Sequence, residues 1–430
     1  MKLTNIGGAT AILEHKGKRV LFDPWMDEGI FYGSWYHYPP LKMSIADLGH
    51  IDYIFISHIH EDHCSAATMK HINRDAEVIM MNRKPNYVIN YLRSHDLKFK
   101  HVHLINERTP TEIIPGLTVD MLTDDPTHEM NYLINSALVL NWDGFTLYNA
   151  NDCHPYPGGL DYLLSRYKKI DAALIPYTGG SGYPACYKNL SDQEKYDAAK
   201  SIQAKLTSEF IKTYEILKPT WIMPFADQYA VGGSRAYLNK FLVHPPSPGA
   251  VYEPMKQKGY DKNLLLLNSG QTFDFDSKEK TSNEPYYTHT EADRDEYVAK
   301  NLQQFKYEHE KIDVNSAVAF DRLLKAGRNR LWLEQEKENY FPNYRYYFDV
   351  QDKKRLFKID LAKKDVEEVP YDAVREQPYI TMTCSHSLFV LMVIGHMSWN
   401  MADAALFIDY VREPNIYDPK IYAYINFIKA

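Results

Sequence analysis

The stretch Ser57-His58-Ile59-His60-Glu61-Asp62-His63-Cys64 constrains this chain more than any other. Three histidines and an aspartate fall within a single short loop. The run Ile51-Asp52-Tyr53-Ile54-Phe55-Ile56 leads straight into it, and its β-branched and aromatic residues read as a buried strand. The cluster therefore sits where a strand ends. His58 and His60 are two apart, so an extended backbone points both to the same side. Asp62 and His63 follow after the chain turns. Four ligand-type side chains on one short loop call for a metal, and imidazole with carboxylate suits zinc, iron or manganese.

A chain of 430 residues exceeds what one core usually supports. One large domain, residues 1–272, is expected, with a linker and C-terminal accessory region over 273–430. The boundary is set by the charged run around Asp274, Asp276, Lys278, Glu279 and Lys280, and residues 272–300 show no strand pattern. The net charge of −7 gives no reason to expect nucleic acid or an anionic membrane as partner. Cys64, Cys153, Cys186 and Cys384 form no CxxC and imply no disulfide framework. The start has no signal-peptide apolar region, and Leu388 to Ile394 is too short to span a bilayer, so a cytoplasmic location is expected.

Along the chain, Ala9 to Leu13 and Val20 to Phe22 flank the turn Glu14-His15-Lys16-Gly17 and read as a hairpin. Asp23 before Pro24 is held extended at the end of the second run. Residues 26 to 45, rich in rings such as Phe31, Trp35 and Tyr38, are expected to be ordered and to wall the pocket. Strands are expected at Val78 to Met81, Leu117 to Leu122, Leu138 to Leu140, Phe145 to Tyr148, Asp171 to Pro176, Thr220 to Phe225 and Asn263 to Leu267, and short helices at Ala66 to Ile72 and Asn86 to Arg93. Ser191 to Leu217 reads as a long helix, with Ser191 and Glu194 as its capping box. His128, Asp152 and Asp227 each follow a strand, where side chains project from a sheet edge. The loop Tyr177-Thr178-Gly179-Gly180-Ser181-Gly182-Tyr183 also follows a strand and can form a nest for an anion. Tyr177, Gly179, Gly180, Ser181 and Tyr183 are its candidate substrate contacts.

The pattern His-x-His-x-Asp-His resembles the metal signature of the metallo-β-lactamase superfamily. The resemblance implies a four-layer αββα sandwich of α/β (α+β) class with two adjacent ions at one sheet edge. It implies that His58, His60 and His128 hold one ion, and that Asp62 and His63 hold the other with Asp152 bridging. Asp23 would brace the loop. The superfamily usually offers a further histidine where this chain has Asp227. A carboxylate there favours harder metals, and His244 from the following loop is the competing ligand. Asp62, Asp152 and Asp227 are the carboxylates expected at the chemistry.

Further stretches narrow the resemblance. Leu21-Phe22-Asp23-Pro24-Trp25, Asp152-Cys153 with Pro157-Gly158-Gly159, Gly179-Gly180-Ser181-Gly182, Phe210 to Thr213, Pro224-Phe225-Ala226, Pro248-Gly249-Ala250 and Asp418-Pro419-Lys420-Ile421-Tyr422 are similar to the CMP-N-acetylneuraminate hydroxylase family. That family carries a Rieske centre held by a Cys-x-His and a Cys-x-x-His pair. Cys384-Ser385-His386 matches the first, and no Cys-x-x-His exists in these residues, so no Rieske cluster is expected in this chain. Two functions follow. The first is a dinuclear metal-dependent hydrolase that attacks an ester, phosphoester, lactone, amide or thioester of a small molecule with a metal-activated water. The second is a diiron oxygenase that uses the same ligands and takes electrons from a separate electron-transfer protein.

Overall fold

The structure, a computed structural model, describes residues 1–430 except 128–132, 227, 313 and 316. Two sheets face each other. The first runs β16 (Glu279–Lys280), β15 (Thr272–Asp274), β1 (Lys2–Gly7), β2 (Thr10–His15), β3 (Lys18–Phe22), β5 (Tyr53–Phe55), β6 (Glu77–Met81) and β7 (His101–Ile105). The second runs β13 (Trp221–Phe225), β12 (Ala172–Pro176), β11 (Phe145–Asn149), β10 (Ser136–Trp142), β9 (Leu117–Thr123) and β8 (Thr111–Ile114). Alternation along the strands builds the layers. Val20 and Phe22 of β3 join Leu138, Leu140, Leu174 and Phe225 between the sheets. Leu21, on the opposite side, packs with Met69, Val88 and Leu92 of the short helices Ala66–Met69 and Tyr87–Ser94. Val139, Ala173 and Ile175 pack outward on Leu163, Phe210 and Ile211 of the helices Pro157–Arg166 and Asp192–Leu217. The architecture is a four-layer αββα sandwich.

The hairpin of β2 and β3 turns at Lys16 and Gly17, both at positive φ. The hairpin of β10 and β11 turns at Asp143 and Gly144 in the same way. Two expectations fail. Asn263 to Leu267 forms no strand. It makes one bridge, Leu264 to Ile222, while Leu265 and Leu267 anchor it by burial between the sheets. Residues 272–300 are not strandless. They supply β15, β16 and the helix Glu291–Asn301, because edge strands pair by backbone and tolerate charged side chains. The expected boundary at 272/273 thus falls inside the first sheet.

The C-terminal residues build their own sheet, ordered β19 (Val366–Val369), β18 (Arg355–Asp360), β17 (Arg345–Val350), β20 (Tyr379–Cys384) and β21 (Asp409–Glu413). The helices Phe320–Glu338 and His386–Val393 cover it. Its core is continuous with the loop after Asp23. Trp25, Ile30, Phe31 and Trp35 share one buried cluster with Phe348, Phe389, Trp399 and Ile425. Trp35 and Tyr36 form β4, which pairs with β14 (Ala230–Val231). The aromatic loop is therefore ordered, as expected. No described helix is long and apolar enough to cross a membrane.

Candidate metal centre

β5 stops at Phe55, and Asp23 holds the chain just beyond it, ahead of the turn at residues 61–63. Asp23 has no exposed surface. Its Oδ1 accepts the Ser57 N–H at 2.7 Å, and its Oδ2 lies 3.0 Å from His63 Nδ1. Asp23, expected to be extended, instead sits at φ +38° in a bend, steadied by its carbonyl accepting the Thr10 hydroxyl at 2.7 Å. With Nδ1 of His63 turned to Asp23, Nε2 faces inward. The second sheet meets the first at the same edge. Ser136, opening β10, donates its hydroxyl to the Ser57 carbonyl at 2.6 Å. Asn151, just past β11, donates to the Ser136 carbonyl at 2.8 Å, and its own Oδ1 accepts the Asp152 N–H at 2.7 Å. Two short polar side chains, Ser136 and Asn151, thus stitch the loop that holds His58 to the loop that holds Asp152.

His58, His63 and Asp152 each offer a ligand atom within 4.8 Å of the others. Asp152 divides its oxygens between the two histidines: Oδ1 is 3.1 Å from His63 Nε2, and Oδ2 is 3.7 Å from His58 Nε2. The other two candidate residues of the loop, His60 and Asp62, flank this trio. His60 Nδ1 lies 2.9 Å from His58 Nε2, and Asp62 Oδ2 lies 3.4 Å from His63 Nε2. His63 Nε2 and Asp152 Oδ1 face each other at 3.1 Å without the alignment of a good hydrogen bond, and Asp62 Oδ1 is buried with no hydrogen-bond partner among the described residues. Buried polar atoms are rarely left so, and the converging ligand atoms of His58, His63 and Asp152 fit a cation between them. Divalent cations fit this donor set of imidazole and carboxylate.

The electrostatics agree. Burial holds His58 well below the ordinary histidine range, with His63 and His60 adding to the effect. Its ring is therefore neutral, the form that ligates. Burial opposes charge on His63, but Asp152, Asp62 and Asp23 outweigh it and hold the ring well above that range. Burial likewise works against ionised Asp152, and His63 offsets it to leave the carboxyl below its ordinary value. The carboxylates around His63 thus favour positive charge at this point, which a cation would supply.

His128 and Asp227, expected as ligands, lie outside the described residues. His244, the alternative to Asp227, is buried with Nδ1 3.2 Å from the Pro245 carbonyl and its ring 4.4 Å from that of Tyr229. It is not one of the three residues that converge.

A cavity of about 300 Å³ opens beside His60. Gly180, Ser181 and Tyr183 line one wall, and Trp399, Asn400 and Asp403 of the C-terminal part line another. Tyr177 is buried in the core under the second sheet and Gly179 backs onto Leu206, so neither is among the lining residues. His37, Tyr38 and Pro39 of the aromatic loop wall a different cavity, also about 300 Å³, bounded by Asn268 and His289. Sequence reasoning missed Ser57, Ser136, Asn151 and Asn400. The polar run Asn149 to Asp152 carried a signal for Asn151. Nothing local marks Asn400, which meets its partner across 340 residues.

The family model described as beta-lactamase superfamily domain matches residues 18–185. A putative Rieske 2Fe-2S iron-sulfur protein of Mycobacterium tuberculosis is 26% identical over 302 residues, covering 64% of this chain and 54% of that protein. The cytidine monophosphate-N-acetylneuraminic acid hydroxylase of Danio rerio is 26% identical over 240 residues, covering 53% of this chain and 38% of that one. Among solved structures, isothiocyanate hydrolase from Delia radicum gut bacteria is similar with a TM-score of 0.45 and 18% identity, over 64% of this chain and 98% of that one. The chain spans about half the length of the first curated relatives it matches. Residues 18–185 thus match a beta-lactamase superfamily domain model, and the layered sandwich with the histidine loop at its edge is consistent with the metallo-β-lactamase fold.

Proposed function

We propose that the chain is a dinuclear metal-dependent hydrolase of a small molecule, with His58, His60 and His128 at one ion, Asp62, His63 and Asp227 at the other, and Asp152 shared. The observation that carries this reading is the division of Asp152, whose two oxygens face His58 and His63 separately. Two divalent ions held there would supply an acidified water as nucleophile at neutral pH and a Lewis acid for the bond to be cleaved. The protein does the rest. Asp23 and Ser57 hold the rings of His63 and His58, and the cavity at His60, lined by Gly180, Ser181 and Tyr183, would receive the substrate. The test is reconstitution of metal-free protein with zinc, manganese or iron, followed by assay on ester, lactone, phosphoester, amide and thioester panels with oxygen excluded. Metal-dependent turnover that Asp152→Ala lowers at least about a hundredfold supports the reading. Activity independent of metal sinks it.

The hydroxylase and Rieske-protein relatives favour a second reading, a diiron oxygenase supplied with electrons by a separate protein. Dependence of turnover on dioxygen and a reductant, with two irons per chain, would select it over hydrolysis.

A further inference from the structure

We propose that Asn400 is a positioning residue for the metal centre: it sets the tautomer of His60, and thereby makes the C-terminal part of the chain a component of that centre. The inference rests on the reading of His60 as a metal ligand. Asn400 Oδ1 lies 2.8 Å from His60 Nε2. On the other side of the ring, Nδ1 faces His58 Nε2 at 2.9 Å, the point the two rings would share with an ion. A neutral imidazole carries one proton, on one nitrogen or the other. The amide oxygen only accepts, so it keeps the proton on Nε2 and leaves the Nδ1 lone pair directed inward. Without that acceptor the proton is free to move to Nδ1, where it points at His58 and blocks ligation.

Asn400 is itself held. Its backbone N–H donates to Asn426 Oδ1 at 3.1 Å, and the neighbouring Trp399 Nε1 donates to the Ile428 carbonyl at 2.9 Å. Both ends of its helix, Trp399–Ala404, are tied to the aromatic loop that follows Asp23. Ser398 N–H donates to the Tyr32 hydroxyl at 2.9 Å, Trp35 Nε1 to the Ala404 carbonyl at 2.9 Å, and Ser34 Oγ to the Ala405 carbonyl at 2.8 Å. One continuous stretch, residues 23–35, thus braces His63 through Asp23 and delivers Asn400 to His60 through its rings. The loop that catches the metal-binding strand also docks the C-terminal residues.

The experiment measures zinc affinity of the full chain by competition with a chromophoric chelator, in Asn400→Ala, Asn400→Asp and His60→Ala, alongside thermal unfolding of the metal-free proteins. Asn400→Ala should bind the ion at His58 and His60 about 10–100-fold more weakly, the usual cost of losing an outer-shell partner. Asn400→Asp keeps an acceptor at the same place and should restore most of that affinity. The metal-free Asn400→Ala protein should unfold at the native temperature, because a half-buried side chain has been lost and no core contact. Unchanged zinc affinity in Asn400→Ala, with loss in His60→Ala, overturns the proposal alone. Equal loss in Asn400→Ala and Asn400→Asp overturns it too, because the acceptor then has no special role. Full affinity in His60→Ala overturns the ligand reading beneath it.

Discussion

Asp23 has two acceptor oxygens with separate partners, one for the backbone of Ser57 and one for His63. In Asp23→Asn one end of the group becomes a donor. If the amide oxygen keeps Ser57, the NH2 faces His63 Nδ1, and the ring must place its proton on Nε2, where the ion belongs. We expect roughly 10–100-fold weaker zinc binding in the chelator competition; native affinity would show that Asp23 serves folding alone. Asp227 makes a separate prediction from the sequence: Asp227→Ala should weaken one of two binding steps in a titration of metal-free protein, and two native steps would remove it from the ligand set. Asp403 tests the cavity wall. Burial pushes its carboxyl up to about 6, although the Tyr410 hydroxyl donates to it at 2.8 Å. An acid whose folded value is raised contributes stability that is full below its unfolded value near 4 and lost as pH rises through about 6. Asp403→Asn keeps an acceptor for Tyr410 and removes the charge. It should be more stable than the native chain above pH 7, by roughly 1–3 kcal/mol with water at the cavity wall taken into account. Urea unfolding at pH 4.5 and 7.5 checks this, and an equal pH dependence in both proteins refutes it.

Among the elements, the helix Asp192–Leu217 was readable to within a residue. The Ser191 hydroxyl accepts the Glu194 N–H at 3.3 Å, and Glu194 accepts the Ser191 N–H at 2.8 Å, so the expected capping box is present. Ser191→Ala should cost about 1 kcal/mol in denaturant unfolding and leave metal content unchanged, because the cap is local and distant in role from the loop. The strands were legible where alternation and a turn agreed, as in the hairpin through Asp143 and Gly144. They misled where burial and pairing part company. Asn263 to Leu267 carries a continuous apolar run of the kind found in buried strands, yet it is held by Leu265 and Leu267 in the core with one bridge to β13. Thr272–Asp274 has the composition of a linker and pairs with β1, since a ladder bonds backbone to backbone.

On the scale of the whole molecule, the C-terminal residues are not an appendage on a string. Trp25, Phe31 and Trp35 are each under 4% exposed, in the cluster shared with the C-terminal sheet. Burying three such rings contributes roughly 6–9 kcal/mol, comparable with the net stability of a domain. A chain cut at residue 342 should therefore bind a hydrophobic dye, aggregate on concentration and take up metal poorly. A soluble truncated chain with native zinc affinity would show that the sandwich and its metal centre stand alone.

The sequence by itself determined what is local. A strand running into His58, His60, Asp62 and His63 needs only backbone alternation and a tight loop to bring ligands to one place, and those rules act over a few residues. The turns and the long helix follow from the same short-range patterning, whereas the sandwich class was implied by the resemblance of the histidine loop to a known superfamily. The tertiary structure decided what depends on meetings between distant segments: the stitch of Ser57, Ser136 and Asn151 across two sheets, the sharing of Asp152 between His58 and His63, and the contact of Asn400 with His60. A polar side chain carries no record of a partner hundreds of residues away; packing brings the pair together, and burial then makes an unmet hydrogen bond costly enough to hold it.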